Sequence, residues 1–540
     1  MSSNSVSDDS PLFSFNPNLH LHTPDPPVQI GSVWAQAYPL KDSPLRGSTE
    51  HPLLNLAQGV PGQPPTDAFL DQIRFQSKSE NSPAASGHSH GYGPVFGDAR
   101  LRKALAGDIN KFYRSSDSSL EGGPNQVAPE NIAITAGCNL AFAATVMSLA
   151  KAGEAIVVPT PWYFNHYMTL ESLGIVTVPL PTKGPDFLPS PGSIRSVLDD
   201  NVKAVKDGSS VARIKGVILV TPNNPTGAEY PPALIHEVAA ICAERRVALM
   251  LDETYRDFVL SGDSVHQAIE SSPSSSTSSS SSSQPQFGRA HELFQDRVSG
   301  LAGWSWSRSL IQLFSFSKSY AIPGHRLGAV VAHPSFLQKV ETLPDGSCRT
   351  LFGPLSKALD NLQVAPPRTD TQRAVAWAIE DASEQEWRLN TAKELKARRQ
   401  AFSQGLKTKV VVRLDDDGKL LESSHVQGEG DGQAKSPEEW GWKMESAGGY
   451  YAYLKHPFQG LESEKVAEAL AGLVGVVTLP GTFFMPPPHA STEMSEQDRD
   501  SGSRLRVSIA NVSTERLRVL PERLAILSQI WESKGPGWGI

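Results

Sequence analysis

A single lysine, Lys318, stands among three serines in the stretch SFSKSYAIPGHRLG (315–328), and Arg326 follows eight residues later, beyond a Pro-Gly turn. An amine held in such company can act as a nucleophile or carry a proton, and a guanidinium at fixed reach can hold an anion. Three further stretches carry chemistry. In TPNNPTG (221–227) two prolines bracket an asparagine pair, a rigid turn that aims the Asn224 amide from a strand end. In LDETYRDF (251–258) a strand ends on Asp252. A buried carboxylate needs a cationic partner; no neighbouring Arg or Lys offers one, and a cofactor could. In ITAGCNLAF (134–142) a strand, a glycine and small polar residues open a helix, so the N–H groups around Gly137, Cys138 and Asn139 form a phosphate cradle. Taken singly, these are a plain turn, a cap, a solvated lysine and a tight bend. Their joint occurrence on one alternating pattern is what carries weight.

Those residues need a frame. From about residue 130, short β-branched runs (NIAITAG, EAIVVPTP, IVTVPLP, IKGVILVTP, VALMLDET, LIQLFSFS) alternate with helical segments such as CNLAFAATVMSLA and LIHEVAAICAERR. The alternation predicts an α/β fold: a large domain with a mostly parallel sheet flanked by helices. Such sheets present ligands at the carboxyl ends of their strands, where the residues above fall. After about 366, helices and then the strands GYYAYLKHP and RLRVSIA predict a smaller α+β domain. The chain thus divides into a largely irregular N-terminal arm (1–50), the N-terminal part of the small domain (51–88), the large domain (89–365) and the C-terminal small domain (366–540). A serine-rich segment (262–295) reads as a disordered insertion, and the polar stretches 413–440 and 488–503 as surface insertions.

Together the motifs resemble those of the class I/II aminotransferases, the fold-type I pyridoxal-phosphate enzymes that include aspartate and kynurenine aminotransferases. The resemblance runs from about Asn55 to Ala510, outside the insertions. It implies pyridoxal 5'-phosphate as cofactor, with Lys318 as its Schiff-base lysine and proton carrier. It pairs Asp252 with the pyridine nitrogen, and Asn224 and Tyr255 with the phenolic oxygen. Tyr163 in PTPWYFNH would lie against the ring, with Trp162 as contender. Gly137, Cys138, Asn139, Ser315 and Arg326 would hold the phosphate. Tyr92 in GYGPVFGDARLRKAL would reach the phosphate of a neighbouring subunit, which makes the enzyme a homodimer with shared sites. Arg506 in RLRVSIA would clamp the substrate α-carboxylate; Arg504 faces the same side of the strand, so the motif alone chooses. Gly59 in NLAQGVPGQPP would form the turn that lets the small domain close over substrate.

The reaction so implied moves an amino group from an L-amino acid to a 2-oxo acid. The alternative is a PLP-dependent lyase or synthase (a C–S lyase, or an aminocyclopropane-carboxylate-synthase-like closure), which shares every cofactor residue. No metal is implied. Cys138 departs from the family, which usually carries serine or alanine there. For the substrate side chain, Trp162, Tyr163 and Phe164 leave open an aromatic or kynurenine-like donor, or plain packing. Arg349 in GSCRTLFGP matches no motif and reads as a surface residue.

Composition narrows the rest. The 540 residues are 39% hydrophobic and 20% charged with a net charge of −8, a globular balance without the basic stripe that nucleic acid demands. No apolar run approaches the roughly 18 residues of a membrane span. The opening MSSNSVSDDSPLF lacks the basic and apolar regions of a secretory signal. Cys138, Cys242 and Cys348 lack metal-type spacing and suit a reducing compartment, so a cytoplasmic protein is expected. A regulator built on a retired enzyme would need a DNA-binding helix pair, which the proline-laden first 50 residues do not supply, and would tend to lose Lys318.

Overall fold

The computed structural model describes residues 27–41, 43–45, 51–78, 91–114, 123, 125–261, 287–298, 300–416, 419–426, 434–487 and 502–535. Its central sheet has seven strands: Ile132–Thr135 (β1), Ala155–Thr160 (β2), Val176–Pro181 (β3), Ile214–Val220 (β4), Ala248–Asp252 (β5), Leu310–Ser315 (β6) and Gly328–Val331 (β7). They lie in the order β1-β7-β6-β5-β4-β2-β3. All run the same way except β7, which is antiparallel to both of its neighbours.

Alternation along the strands explains why they read as continuous apolar runs. Val157, Val217 and Leu249 face one buried cluster, whereas Ile156, Ile218 and Met250 face another across the sheet. Both faces are therefore dry over the inner strands, with Gln312 in β6 a buried exception bonded to Glu253, while the edge strand β3 is largely exposed.

A second core forms around the antiparallel strands Lys443–Gly448 (β8), Tyr451–Lys455 (β9), Leu479–Pro480 (β10) and Arg504–Ser508 (β11), in the order β8-β9-β11-β10. Leu454, Leu505 and Val507 pack there against Val466 and Leu470 of the helix Ser463–Val474. An early segment joins them: Leu54–Asn55 pairs in parallel with Val476–Val477, and Leu54 and Leu56 enter this core.

Several boundaries differ from the sequence reading. The first 50 residues are not wholly irregular, because a helix spans Pro27–Ala37. Its proline occupies the first helical position, where a missing N–H costs nothing. The helix Asp67–Lys78, read as small domain, buries Phe69 and Ile73 in the first core. The helix Thr369–Glu380, read as C-terminal domain, buries Ala374, Val375 and Ala378 there as well. The polar stretch 413–440 is partly ordered: Val410–Leu414 pairs with Leu420–His425, and Leu414 and Leu420 rest on the second core. The insertion read as 262–295 ends earlier: 262–286 lie outside the described residues, whereas Leu293 and Phe294 are buried in the first core; nearly all of 488–503 also lies outside the described residues.

Candidate active site

The carboxyl ends of β1, β4, β5 and β6 converge on one rim of the sheet. Because β7 runs backwards, its amino end reaches the same rim and delivers Arg326 beside them. A cavity of about 300 Å³ opens there. Gly59, Cys138, Asn139, Tyr163, Asn224, Asp252, Tyr255, Ser315, Lys318, Arg326 and Arg506 all line it. Gly137 stands just behind Arg326. Tyr92 is elsewhere, 88% exposed on the surface of the single chain.

Lys318 sits on a single helical turn, Phe316–Ser319, and its Nζ donates to the Gly59 carbonyl. Burial, then the positive Arg506 and Arg326, bring its ammonium down to about 8. Asp252 is buried at the end of β5. Its Oδ1 accepts from the Thr254 N–H at 3.0 Å and the Thr254 hydroxyl at 2.7 Å. Its Oδ2 lies 3.3 Å from His166 Nε2, a neighbour from the helix Phe164–Ser172 that sequence order conceals. The ring's other nitrogen, His166 Nδ1, is buried without a partner. The Tyr255 and Tyr451 hydroxyls lie 2.7 Å apart, and burial pushes the Tyr255 phenol well up, so it stays protonated.

Also on the cavity, the twelve-residue helix Cys138–Leu149 begins at Gly137, with no side chain capping its first N–H groups. Uncapped amides at a helix start invite an anion. Gly137 has φ +83°, and a Cβ there would fall 2.3 Å from the Arg326 guanidinium, so only glycine lets the arginine lie against this turn. Arg326 Nη1 donates to the Pro323 carbonyl at 2.9 Å. The Ser315 hydroxyl caps the lysine-bearing turn by accepting from the Ser317 N–H at 3.3 Å. Burial and the adjacent Asp252 push the Cys138 thiol well up, so it stays protonated.

The cavity roof comes from the second core. Arg506 Nη1 donates to Asn224 Oδ1 at 3.0 Å, its Nη2 donates to the Ala57 carbonyl, and its Nε is buried without a partner. None of these partners is negative, so the guanidinium is set to receive an anion. The other candidates are spoken for. Arg504 pairs with Glu445 at 2.5 Å and lies over the Phe187 ring. Arg349 faces Glu341 across a surface hairpin, 60% exposed. Trp162 stacks on Tyr167 at 4.9 Å in the core, and Tyr163 is the one of the pair that lines the cavity.

Sequence reasoning missed Thr254, His166 and Tyr451. The first two lie inside quoted motifs, and an i+2 hydroxyl after a strand-end aspartate is a signal for the first. Nothing local marks Tyr451.

The comparisons fit this geometry. The profile of aminotransferase class I and II matches residues 51–524. The chain is 24% identical over 429 residues to the aromatic aminotransferase ISS1 of Arabidopsis thaliana, covering 79% of this chain and 81% of that one. It is 24% identical over 252 residues to a probable aspartate/prephenate aminotransferase of Aquifex aeolicus, covering 47% and 51%. A solved aspartate aminotransferase of Thermus thermophilus superposes with a TM-score of 0.62 at 18% identity over 96% of this chain and all of that one, which shows the shared fold. The chain belongs to the class I and II aminotransferases. It is a pyridoxal-phosphate-dependent transaminase, and the residues present fit that cofactor: an anion cradle, a buried carboxylate and an amine line the same cavity. Among the described residues no cluster of side chains could hold a metal, and no helix is long and apolar enough to cross a membrane.

Proposed function

We propose that Lys318 anchors the cofactor and carries the proton, with the surrounding residues dividing the remaining tasks. The observation that carries this reading is the convergence of four strand ends on a cavity whose lining holds one lysine, whose ammonium burial and two arginines bring down to about 8. Pyridoxal phosphate, when bound, supplies an aldehyde that joins amines and a ring that accepts the electron pair left when the substrate Cα–H bond breaks. Lys318 would be the amine that holds this aldehyde and, when not so engaged, its Nζ would accept the proton from substrate Cα. Asp252, held by Thr254 and His166, would keep a proton on the ring nitrogen. Tyr255 and Asn224 would donate to the phenolic oxygen, and Tyr163 would cover a ring face. The amides from Gly137 to Asn139, the Ser315 hydroxyl and Arg326 would hold the phosphate. Arg506 orients the α-carboxylate, and Gly59 supplies the turn above it.

Tyr163 and Phe164 line the cavity, and the Phe164 and Phe484 rings lie 5.5 Å apart. We read the donor as an aromatic amino acid, in keeping with the name of the Arabidopsis relative. The enzyme is a homodimer: Tyr92 is free to enter the site of a second copy, and exposed Phe352 and Val364 flank the helix that packs on Cys138–Leu149. Its free cysteines suit the cytoplasm.

The test is a half-reaction. PLP-loaded protein mixed with single L-amino acids and no oxo acid should lose its yellow absorbance and regain it on adding 2-oxoglutarate or pyruvate, fastest with aromatic donors. Borohydride trapping before substrate should label the peptide bearing Lys318, and Lys318→Ala should neither trap nor react. A label on another lysine overturns the assignment.

A further inference from the structure

We infer that Tyr451 is a positioning residue for Tyr255: its hydroxyl donates to the Tyr255 oxygen and leaves the Tyr255 proton free for the cofactor's phenolic oxygen. The inference rests on the role given to Tyr255 above. The two hydroxyls are 2.7 Å apart in a buried contact, and the rings meet nearly edge-on at 5.4 Å and 80°. A phenol has one proton and two lone pairs. If Tyr255 spent its proton on Tyr451, it would meet the cofactor oxygen as an acceptor facing an acceptor. Only donation from Tyr451 to Tyr255 lets both bonds form, and a donor behind a donor strengthens it.

Three further contacts hold the Tyr451 ring and main chain in place beside Tyr255. Its ring lies under the Arg506 guanidinium, 4.7 Å to the centroid, so the phenol cannot swing toward that side. On the other flank a Cβ at Gly59 would fall 2.0 Å from the Tyr451 oxygen, so glycine at 59 is what makes room for this hydroxyl. The main chain of Tyr451 closes against the large core, where Gly227 and Gly448 pass so tightly that a Cβ on Gly227 would sit 2.7 Å from the Tyr451 carbonyl. Tyr451 comes from β9 of the second core and Tyr255 from the end of β5. The hydroxyl pair therefore ties the element carrying Arg506's neighbour to the residue that tunes the cofactor. Substrate carboxylate on Arg506 acts on the same ring that orders Tyr255.

The experiment follows the visible absorbance of PLP-loaded protein against pH in wild type, Tyr451→Phe, Tyr255→Phe and the double variant, with the thermal midpoint of each as a check on folding. Removing the Tyr451 hydroxyl should raise the absorbance midpoint by about a few tenths of a pH unit, since a weaker donor stabilises the phenolate less. Tyr255→Phe should raise it further, and adding Tyr451→Phe to that variant should change nothing more. Gly59→Ala, which displaces the hydroxyl without deleting it, should reproduce the Tyr451→Phe shift. An unmoved midpoint in Tyr451→Phe, or an equal shift on the Tyr255→Phe background, overturns the inference. An unmoved midpoint in Tyr255→Phe overturns instead the role given to Tyr255.

Discussion

Lys318 gives up its proton more readily in its folded seat than in the unfolded chain. Its folded value of about 8 lies below the ordinary 10.5, so between those values the unfolded chain binds the extra proton and stability rises with pH. The penalty is complete below about pH 8 and gone above the ordinary value; 2.5 units correspond to on the order of 3 kcal/mol. Cofactor-free Lys318→Met should therefore be more stable than wild type at pH 7, with the difference shrinking toward pH 10, as urea midpoints at the two pH values will show. A constant difference would mean that the fold leaves the Lys318 proton held as tightly as in the unfolded chain. At this scale the sequence was informative where one motif holds both the group and its reason, as with Lys318 and Arg326. It was silent on Tyr451, which meets Tyr255 across 196 residues, and on the histidine behind Asp252, because hydrogen-bond partners on separate elements leave no spacing to read.

Among the elements, the helix start at Gly137 makes the sharpest demand. Its φ of +83° and the guanidinium 2.3 Å from a would-be Cβ leave no room for a side chain. Gly137→Ala should weaken PLP binding by about tenfold or more, from backbone strain and displacement of Arg326 together. Titrating cofactor-free protein with PLP measures this, and unchanged affinity would remove Gly137 from the cradle. The helix was readable because small residues after a buried strand and a glycine have few other uses. The strand β7 was not: at four residues, Gly328–Val331, it is too short to show a period, and its reversed direction is set by pairing with β1 and β6 rather than by its own sequence. The parallel strands were legible because burial on both faces forces long apolar runs.

At the scale of the molecule, a shared site predicts complementation. Tyr92→Ala and Lys318→Ala should each be nearly inactive alone, yet after subunit exchange an equal mixture should recover up to about a quarter of wild-type activity, since half the dimers then hold one intact site. No recovery, in protein shown by sedimentation to exchange, would place Tyr92 outside the site. The layout of alternating strands followed by a second domain was visible in the sequence, but the true division of the cores was not. Helices before and after the sheet, Asp67–Lys78 and Thr369–Glu380, pack together on the first core, and contacts between distant segments are written nowhere locally. The pairing of Leu54–Asn55 with Val476–Val477 has a consequence for synthesis. At about 5–20 residues per second the ribosome takes roughly 20–80 seconds to make the second strand after the first has emerged. For that interval Leu54 and Leu56 have no core to enter, and every strand of the large sheet, the last ending at Val331, is made before it closes. A nascent chain can thus carry Lys318 in its finished cradle before Arg506 exists, and the substrate clamp is among the last parts of the enzyme to be born.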